Sequence, residues 1–505
     1  MIELILNEER YENDIRALLM AFYHGEKIFA RKPGNVSAEK QSACISDECR
    51  PEGIYRTLEA IYTEDRLKLT LKDEKGRTIG YKIAENFPKE RKEGKNCLKT
   101  ALYELLCEVT GRTLPWGTLT GIRPTKLPMA FYDSGYSREA AAEHLRRTYR
   151  VSEEKIRLCT QVAANEKRIL EGVDENRSFS LYVGIPFCPT ICLYCSFSSY
   201  PLSVWEKEVD NYLEALFKEI RQVSQMVDTS CLTTVYMGGG TPTSLNAEQM
   251  DRLLCVLEEN FDLSAAREFT IEAGRPDSIQ ADKLRVMKRH GIERISINPQ
   301  TLNQKTLDVI GRRHTVADVE RAFNLARQVG FSNINMDLIL GLPGEDSEDV
   351  SRTLAGIHQM APESMTVHSL AVKRASRLNQ NLELYPPAPR EEVNRMIDMA
   401  WHAAEAMGME PYYLYRQKNM AGNLENVGYA KPGKECLYNI LIMEEKQSIV
   451  AVGAGGTSKI LYPAENRLER VENVKSVKDY IERIDEMIER KHQNFPKYGI
   501  FEKKA

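Results

Sequence analysis

The chain is 505 residues long, 42% hydrophobic and 28% charged, with a formal net charge of -4. That length allows two or three domains with sizeable cores, and the composition is that of an ordinary soluble protein. The charge argues against a global polyanion binder but leaves room for a local basic patch. No apolar run reaches the length of a membrane span, and Met1 opens into the strand-like IELIL instead of a signal peptide. Eight cysteines (Cys44, Cys49, Cys97, Cys107, Cys159, Cys231, Cys255 and Cys436) are scattered, all but the first two singly. That is the usage expected of reduced thiols, and the expected location is the cytoplasm.

Residues 1–175 form the first expected domain, α+β and then helical, with no role legible from its residues. Ile2–Leu6 reads as a strand and Tyr11–Tyr23 has helical apolar spacing. Arg66–Leu71, the turn Asp73–Gly76 and Thr78–Ile83 have the pattern of a hairpin. The polar stretch 31–52 between them reads as a surface loop, where Cys44 and Cys49 are more simply thiols than metal ligands. Lys95–Thr110 predicts an amphipathic helix stopped by Gly111. Pro115–Leu127, with Arg123 and Lys126, is either an anion-gripping loop or a connector built from fixed turns. Helices are expected near Ser137–Tyr149 and Ser152–Glu171.

Across 176–372 strand and helix alternate. Strands are expected at Ser180–Ile185, Thr233–Met237, Glu268–Glu272, Arg294–Ile297, Ile334–Leu340 and Ser364–Leu370. The helices between them are Trp205–Val227, Ala247–Asn260, Ala281–Arg289, Val316–Val329 and Ser347–Met360. Six β/α units in series predict a parallel sheet with right-handed crossovers, an α/β fold. YPPAP at Tyr385–Pro389 marks a boundary, and residues 373–505 are expected to form a smaller domain covering the mouth of the sheet. It holds a helix over Arg390–Met407, the tyrosines Tyr412, Tyr413 and Tyr415, and a C-terminal helix near Val474–Arg490.

The chemistry concentrates at Tyr182–Tyr200, YVGIPFCPTICLYCSFSSY. Cys188, Cys192 and Cys195 stand in C-x3-C-x2-C spacing on a tight loop after the first strand. Three soft thiolates on one loop can bind three irons of a 4Fe–4S cube, leaving the fourth iron open to a substrate or cofactor. A structural zinc site would need a fourth Cys or His, and Ser196–Tyr200 offers neither. After the second strand come Gly238, Gly239, Gly240 and Thr241, in GGGTP, where the backbone can approach a ligand closely.

C-x3-C-x-Y-C after a strand resembles the radical S-adenosylmethionine (SAM) superfamily. The flanking GIPFC and SF are similar to the oxygen-independent coproporphyrinogen III oxidase group, in particular its HemZ-type branch. The resemblance runs from Tyr182 to about Pro343 and implies a partial, six-stranded (β/α) barrel whose lateral opening admits a large substrate. It assigns the cluster to Cys188, Cys192 and Cys195, and SAM contacts to Tyr194, Gly238, Gly239, Gly240 and Thr241. It adds Glu272, the ribose-facing Gln300 and Asp337, and Arg312 for the SAM carboxylate, with Arg313 as a neighbour able to replace it. Asn298-Pro299 stands before Gln300 where the family more often has Gly-Val. The implied reaction is oxygen-independent decarboxylation of coproporphyrinogen III to protoporphyrinogen IX in heme biosynthesis. A SAM-derived radical does the chemistry, and the expected partner is an electron donor such as flavodoxin or ferredoxin.

Phe197 occupies the position where decarboxylating relatives carry a further cysteine. Heme-carrying chaperones share the barrel, but their H-N-x-x-Y-W motif is not matched by Cys436–Leu441, CLYNIL, which leaves Cys436 or His368 as conceivable heme ligands. A third reading, action on RNA through residues 1–130, predicts salt-dependent binding, and the mixed charge of that region does not favour nucleic acid. Lys373, Arg374 and Arg377 after the sixth strand either face the propionates or form a solvated polar face.

Overall fold

The computed structural model describes residues 1–23, 25–31, 55–175, 177–197, 199–373, 375–416, 424–462, 465 and 467–495. Cys44, Cys49, most of the 31–52 loop and Arg374 lie outside the described residues. The chain forms two compact units, one of residues 1–161 with 416–424 and one of residues 162–415 with 425–505.

The first unit is built on a five-stranded sheet of β1 (Ile2–Leu6), β2 (Ile28–Arg31), β3 (Arg56–Tyr62), β4 (Arg66–Asp73) and β5 (Thr78–Glu85). The order is β2-β1-β3-β4-β5, with β1 parallel to β2 and β3 and the rest antiparallel. Period-two alternation sends Leu67, Leu69 and Leu71 of β4 to one face, where all three are fully buried. Helices Glu12–Phe22 and Arg91–Thr110 cover that face with Ile15, Leu18, Leu98, Leu102 and Leu105. The second helix stops at Gly111, whose φ of 65° is the left-handed cap that glycine adopts without a Cβ clash.

The second unit carries the six expected strands as β6 (Phe179–Ile185), β9 (Leu232–Gly239), β10 (Glu268–Gly274), β11 (Arg294–Gln300), β12 (Asn333–Leu340) and β13 (Ser364–Ser369). Between β6 and β9 lie two short strands, β7 (Phe187–Cys188) and β8 (Tyr200–Pro201). After β13 come β14 (Glu410–Arg416), β15 (Glu425–Ala430), β16 (Ser448–Val452), β17 (Thr457–Tyr462) and β18 (Arg467–Glu472). The large sheet runs β14-β15-β13-β12-β11-β10-β9-β6-β16-β17-β18.

The six expected strands are mutually parallel, and β16 joins beside β6 as a seventh, from Ser448↔Phe179 to Val452↔Val183. At the other edge β15 runs antiparallel to β13. The sheet is a partial barrel whose end strands β14 and β18 do not pair among the described residues. Residues after 373 thus extend both edges of the sheet that carries the cysteine loop. The C-terminal helix is two pieces, Val477–Glu482 and Ile484–Asn494, divided at Arg483.

Parallel strands covered by crossover helices are buried on both faces and read as nearly continuous apolar runs. Against that background one residue near the carboxyl end of each strand stays partly open: Tyr182, Tyr236, Glu272, Asn298, Asp337 and His368. These positions form the floor of the candidate site.

Candidate functional site

The loop after β6 is fastened by backbone bonds to the loop after β9. Gly240 N donates to Ile185 O and Thr241 N to Phe187 O, both at 2.7 Å. The seam needs glycine: a Cβ on Gly240 would lie 2.5 Å from Phe187 O and 2.8 Å from the Pro186 carbonyl carbon. At the end of the seam Thr241 Oγ1 stands 3.5 Å from Cys188 Sγ. Cys192 is buried, with its carbonyl accepting from Cys195 N at 3.2 Å, and the Cys195 thiol lies 3.6 Å from Ser199 Oγ. Burial, reinforced by the neighbouring Cys195 and Cys192, pushes the Cys188 thiol up to about 11. All three cysteines are free thiols, and ligation would remove their protons.

The far side of the loop is held from the later strands. Leu193 N donates to Ile310 O at 3.0 Å, and Leu378 N to Leu193 O at 2.9 Å. Tyr194 packs with Leu193 on Leu307, Ile310 and Leu342, and its hydroxyl accepts from Arg312 Nη2 at 3.3 Å. Arg312 is itself buried, its Nη1 donates to Asn298 O, and its Nε has no protein partner. Gln300 is also buried, at a φ of 69° where the β11–β12 register slips, with Oε1 unpartnered. The Asn298-Pro299 departure from the family pattern therefore coincides with a real bulge.

Across the floor, Glu272 Oε1 accepts from the Tyr236 hydroxyl at 2.5 Å, and burial raises the Glu272 carboxyl to about 7. Tyr182, Tyr236 and Tyr438 stand nearly parallel, with Tyr236 and Tyr438 ring centroids 4.5 Å apart. Asp337 accepts from Asn335 Nδ2 at 2.7 Å and lies 4.0 Å from His368 Nε2. Burial keeps the His368 imidazole below its ordinary value.

The structure thus draws Cys188, Cys192, Cys195, Tyr194, Gly240, Thr241 and Arg312 together around one loop. Glu272 and Asp337 stand in the carboxyl-terminal halves of β10 and β12, and Gln300 at the bulge ending β11. It separates the two conceivable heme ligands. His368 is at the carboxyl end of β13, whereas buried Cys436 donates to Glu268 Oε1 at 3.2 Å, at the start of β10. Phe197 is 70% exposed with Lys373 Nζ 5.5 Å from its ring centroid, and Arg377 is exposed.

Two features were missed in the sequence. Arg275, buried, pairs with Asp277 at 2.7 Å and donates to Thr190 O at 3.2 Å inside the cysteine loop. Its only sequence signal is an R-P-D turn directly after the strand carrying Glu272. The tyrosine stack was the other, because Tyr438 comes from the helix Leu437–Glu444, far along the chain.

The donor set fits the expected cofactors. Three thiols share one loop, a glycine backbone lies against it, and the buried polar atoms Gln300 Oε1 and Arg312 Nε lack protein partners. Among the described residues no helix is long and apolar enough to cross a membrane.

Comparison with known proteins gives the same picture. A family profile described as the Radical SAM superfamily matches residues 182–355, and 4Fe–4S clusters and SAM are the cofactors of that superfamily. The oxygen-independent coproporphyrinogen-III oxidase-like protein HemZ of Bacillus subtilis is 42% identical over 416 residues, 82% of this chain and 83% of that one. The heme chaperone HemW of the same organism is 34% identical over 61% of this chain and 76% of its own. The solved coproporphyrinogen III oxidase HemN of Escherichia coli, a radical SAM enzyme, aligns with a TM-score of 0.48 and 22% identity. That alignment covers 65% of this chain and 73% of the other. With four-fifths of each chain aligned at that level of identity to HemZ, this chain belongs to the oxygen-independent coproporphyrinogen-III oxidase-like family of radical SAM proteins, in its HemZ-type branch.

Proposed function

We propose that Cys188, Cys192 and Cys195 ligate the 4Fe–4S cluster and that the chain converts coproporphyrinogen III propionates to vinyls, giving protoporphyrinogen IX. The observation that carries the site is the backbone seam, which sets Cys188 3.5 Å from Thr241 at the glycine loop. The substrate rests on the 42% identity to a coproporphyrinogen-III oxidase-like protein.

When bound, the cluster and SAM would supply the radical chemistry that takes one hydrogen from a propionate side chain. The chain's own residues bind and enclose. The backbone of Gly238, Gly239 and Gly240 takes the amino-acid end of SAM. Glu272 meets its cationic groups, and Asp337 and Gln300 take the ribose hydroxyls. Arg312, whose guanidinium already holds Tyr194 and Asn298 and whose Nε has no protein partner, takes the SAM carboxylate. The Tyr182, Tyr236 and Tyr438 rings fill the floor with apolar surface and keep water from the reacting carbon. Each propionate loses carbon dioxide, one hydrogen atom and one electron, so an external one-electron acceptor must close each turnover. Lys373, partly open beside Phe197, and the exposed Arg377 would meet the propionates.

The test is an anaerobic assay of reconstituted protein with reductant, SAM and coproporphyrinogen III, following 5′-deoxyadenosine, carbon dioxide and vinyl product together. Product formed in step with deoxyadenosine supports the reading. Deoxyadenosine without porphyrin turnover rejects the decarboxylation while keeping the radical site. Cys192→Ala should abolish the visible absorbance of the cluster, and a variant with full cluster iron and SAM cleavage would reject the cysteine assignment.

A second reading, a heme chaperone, is favoured by the 34% identity to HemW and by Phe197. It predicts a stoichiometric complex in a heme titration and no deoxyadenosine coupled to porphyrinogen.

A further inference from the structure

Away from the mouth, two crossover helices bring an unrelated set of donors together. Helix Ala247–Asn260 presents Asp251, Cys255 and Glu258 at i, i+4 and i+7, which is one face of a helix. The next helix, Ala281–Arg289, ends beside it at His290. Asp251, Cys255 and His290 each offer one ligand atom, and the three atoms lie within 4.8 Å of one another. The imidazole is oriented at both nitrogens. Nε2 faces Asp251 Oδ1 at 2.9 Å, and Nδ1 faces Glu258 Oε1 at 2.8 Å.

We propose that Asp251, Cys255 and His290 form a binding site for a borderline transition-metal ion of the zinc type, with Glu258 orienting the imidazole. The donor set is one nitrogen, one sulfur and one oxygen, which suits such an ion and leaves its fourth position to water. Glu258 supplies the outer carboxylate that metal-binding histidines characteristically bond through their other nitrogen. A hard ion such as magnesium would gain nothing from the thiol. Ion entry is open, because all three donors are partly exposed, and His290 and Glu258 border a cavity of about 640 Å³. Arg289 also reaches Asp251 Oδ1, at 3.0 Å, but its side chain is exposed and an ion can displace it. Binding would release the Cys255 proton and leave His290 neutral, so it is a ligation step with no redox change.

The test is metal counting on the anaerobic holoenzyme after equilibration with zinc ion, with iron measured in the same sample. The expected result is about one zinc per chain, with cluster iron unchanged, and binding weakened by on the order of tenfold or more in Cys255→Ser and in His290→Ala. Glu258→Gln should weaken it less. Should His290→Ala fold poorly, the near-isosteric Cys255→Ser decides. Cys231→Ser controls for a partly exposed thiol elsewhere. Zinc uptake that is absent, that rises only as iron is lost, or that is equal in wild type and Cys255→Ser would overturn the proposal.

Discussion

The Tyr236 hydroxyl donates to Glu272 Oε1 at 2.5 Å, joining adjacent parallel strands across the floor of the partial barrel. The bond favours the carboxylate, against burial that raises the group from 4.5 to about 7. Between those values the folded chain keeps a proton that the unfolded chain has released. Glu272 therefore costs stability progressively as pH rises through that window, and no further above it. A cation held against Glu272 must displace that proton. SAM affinity of the reconstituted, unreduced protein should therefore rise from about pH 6 to about pH 7 and level off above. Calorimetry should show the slope lost in Glu272→Gln. An identical slope in that variant removes Glu272 from the site. Tyr236→Phe should weaken SAM binding by about five- to thirtyfold, the equivalent of about 1–2 kcal/mol.

Gly240 tests the seam. A methyl group there meets three backbone atoms of residues 185–187 at 2.5–2.9 Å, and none is the movable end of a side chain. Gly240→Ala should separate the cysteine loop from the glycine loop, with a cost of about 1–3 kcal/mol or more. The readout is cluster iron per chain, expected to fall by more than half. Gly121→Ala, where the added carbon meets nothing within 4 Å, should leave iron unchanged.

Which parts of this arrangement a reader of the sequence could find follows from how local each signal is. The helices Ala247–Asn260, Ala281–Arg289, Val316–Val329 and Ser347–Met360 have the expected bounds, because caps such as Asn246, Thr315 and Asp346 lie within three residues of the bonds they make. The six strands followed from apolar runs between those helices, and the cysteine loop from its own spacing. What stayed hidden depends on long-range pairing. Nothing in SIVAV distinguishes a strand that joins beside Phe179–Val183 from any other buried strand. The break at Arg483 and the union of Tyr438 with Tyr236 are likewise set by packing between distant segments. Arg275 has no local sign of its hold on the cysteine loop, because its partner Thr190 is 85 residues away.

A buried ion pair secures the C-terminal helix. Lys491 Nζ lies 2.7 Å from Glu219 Oε1, with both side chains fully buried. The carboxylate also accepts from Tyr480 OH, Asn473 Nδ2 and Gly453 N, and so ties helix Val209–Met226 to the segment after β16. Lys491→Met leaves that carboxylate without its counter-charge and should destabilise the protein by about 3–5 kcal/mol. Glu219→Gln combined with Lys491→Met should recover part of the loss in equilibrium denaturation. A single variant as stable as wild type would show that the remaining donors suffice.

Arg275 gives the sharpest distinction between holding the loop and ligating the cluster. Its guanidinium is split: Nε and Nη2 engage both Asp277 oxygens, while Nη1 donates to the Thr190 carbonyl and hydroxyl. No ammonium group reproduces that fork, so Arg275→Lys keeps the charge but cannot serve both partners. Thr190 lies between Cys188 and Cys192, so releasing it frees the spacing of those two thiols while leaving every thiol in place. The expected result is a folded protein that still takes up iron, since all three thiols remain. Its cluster should be lost to a chelator several times faster than that of wild type. Asp277→Asn, which preserves the side-chain shape but replaces one of the two accepting oxygens with an NH2 donor, should fall between the two. Equal chelation rates in wild type and Arg275→Lys would mean that the β9 seam and the backbone bonds of Leu193 hold the loop without Arg275, and that Arg275 serves only the turn after β10.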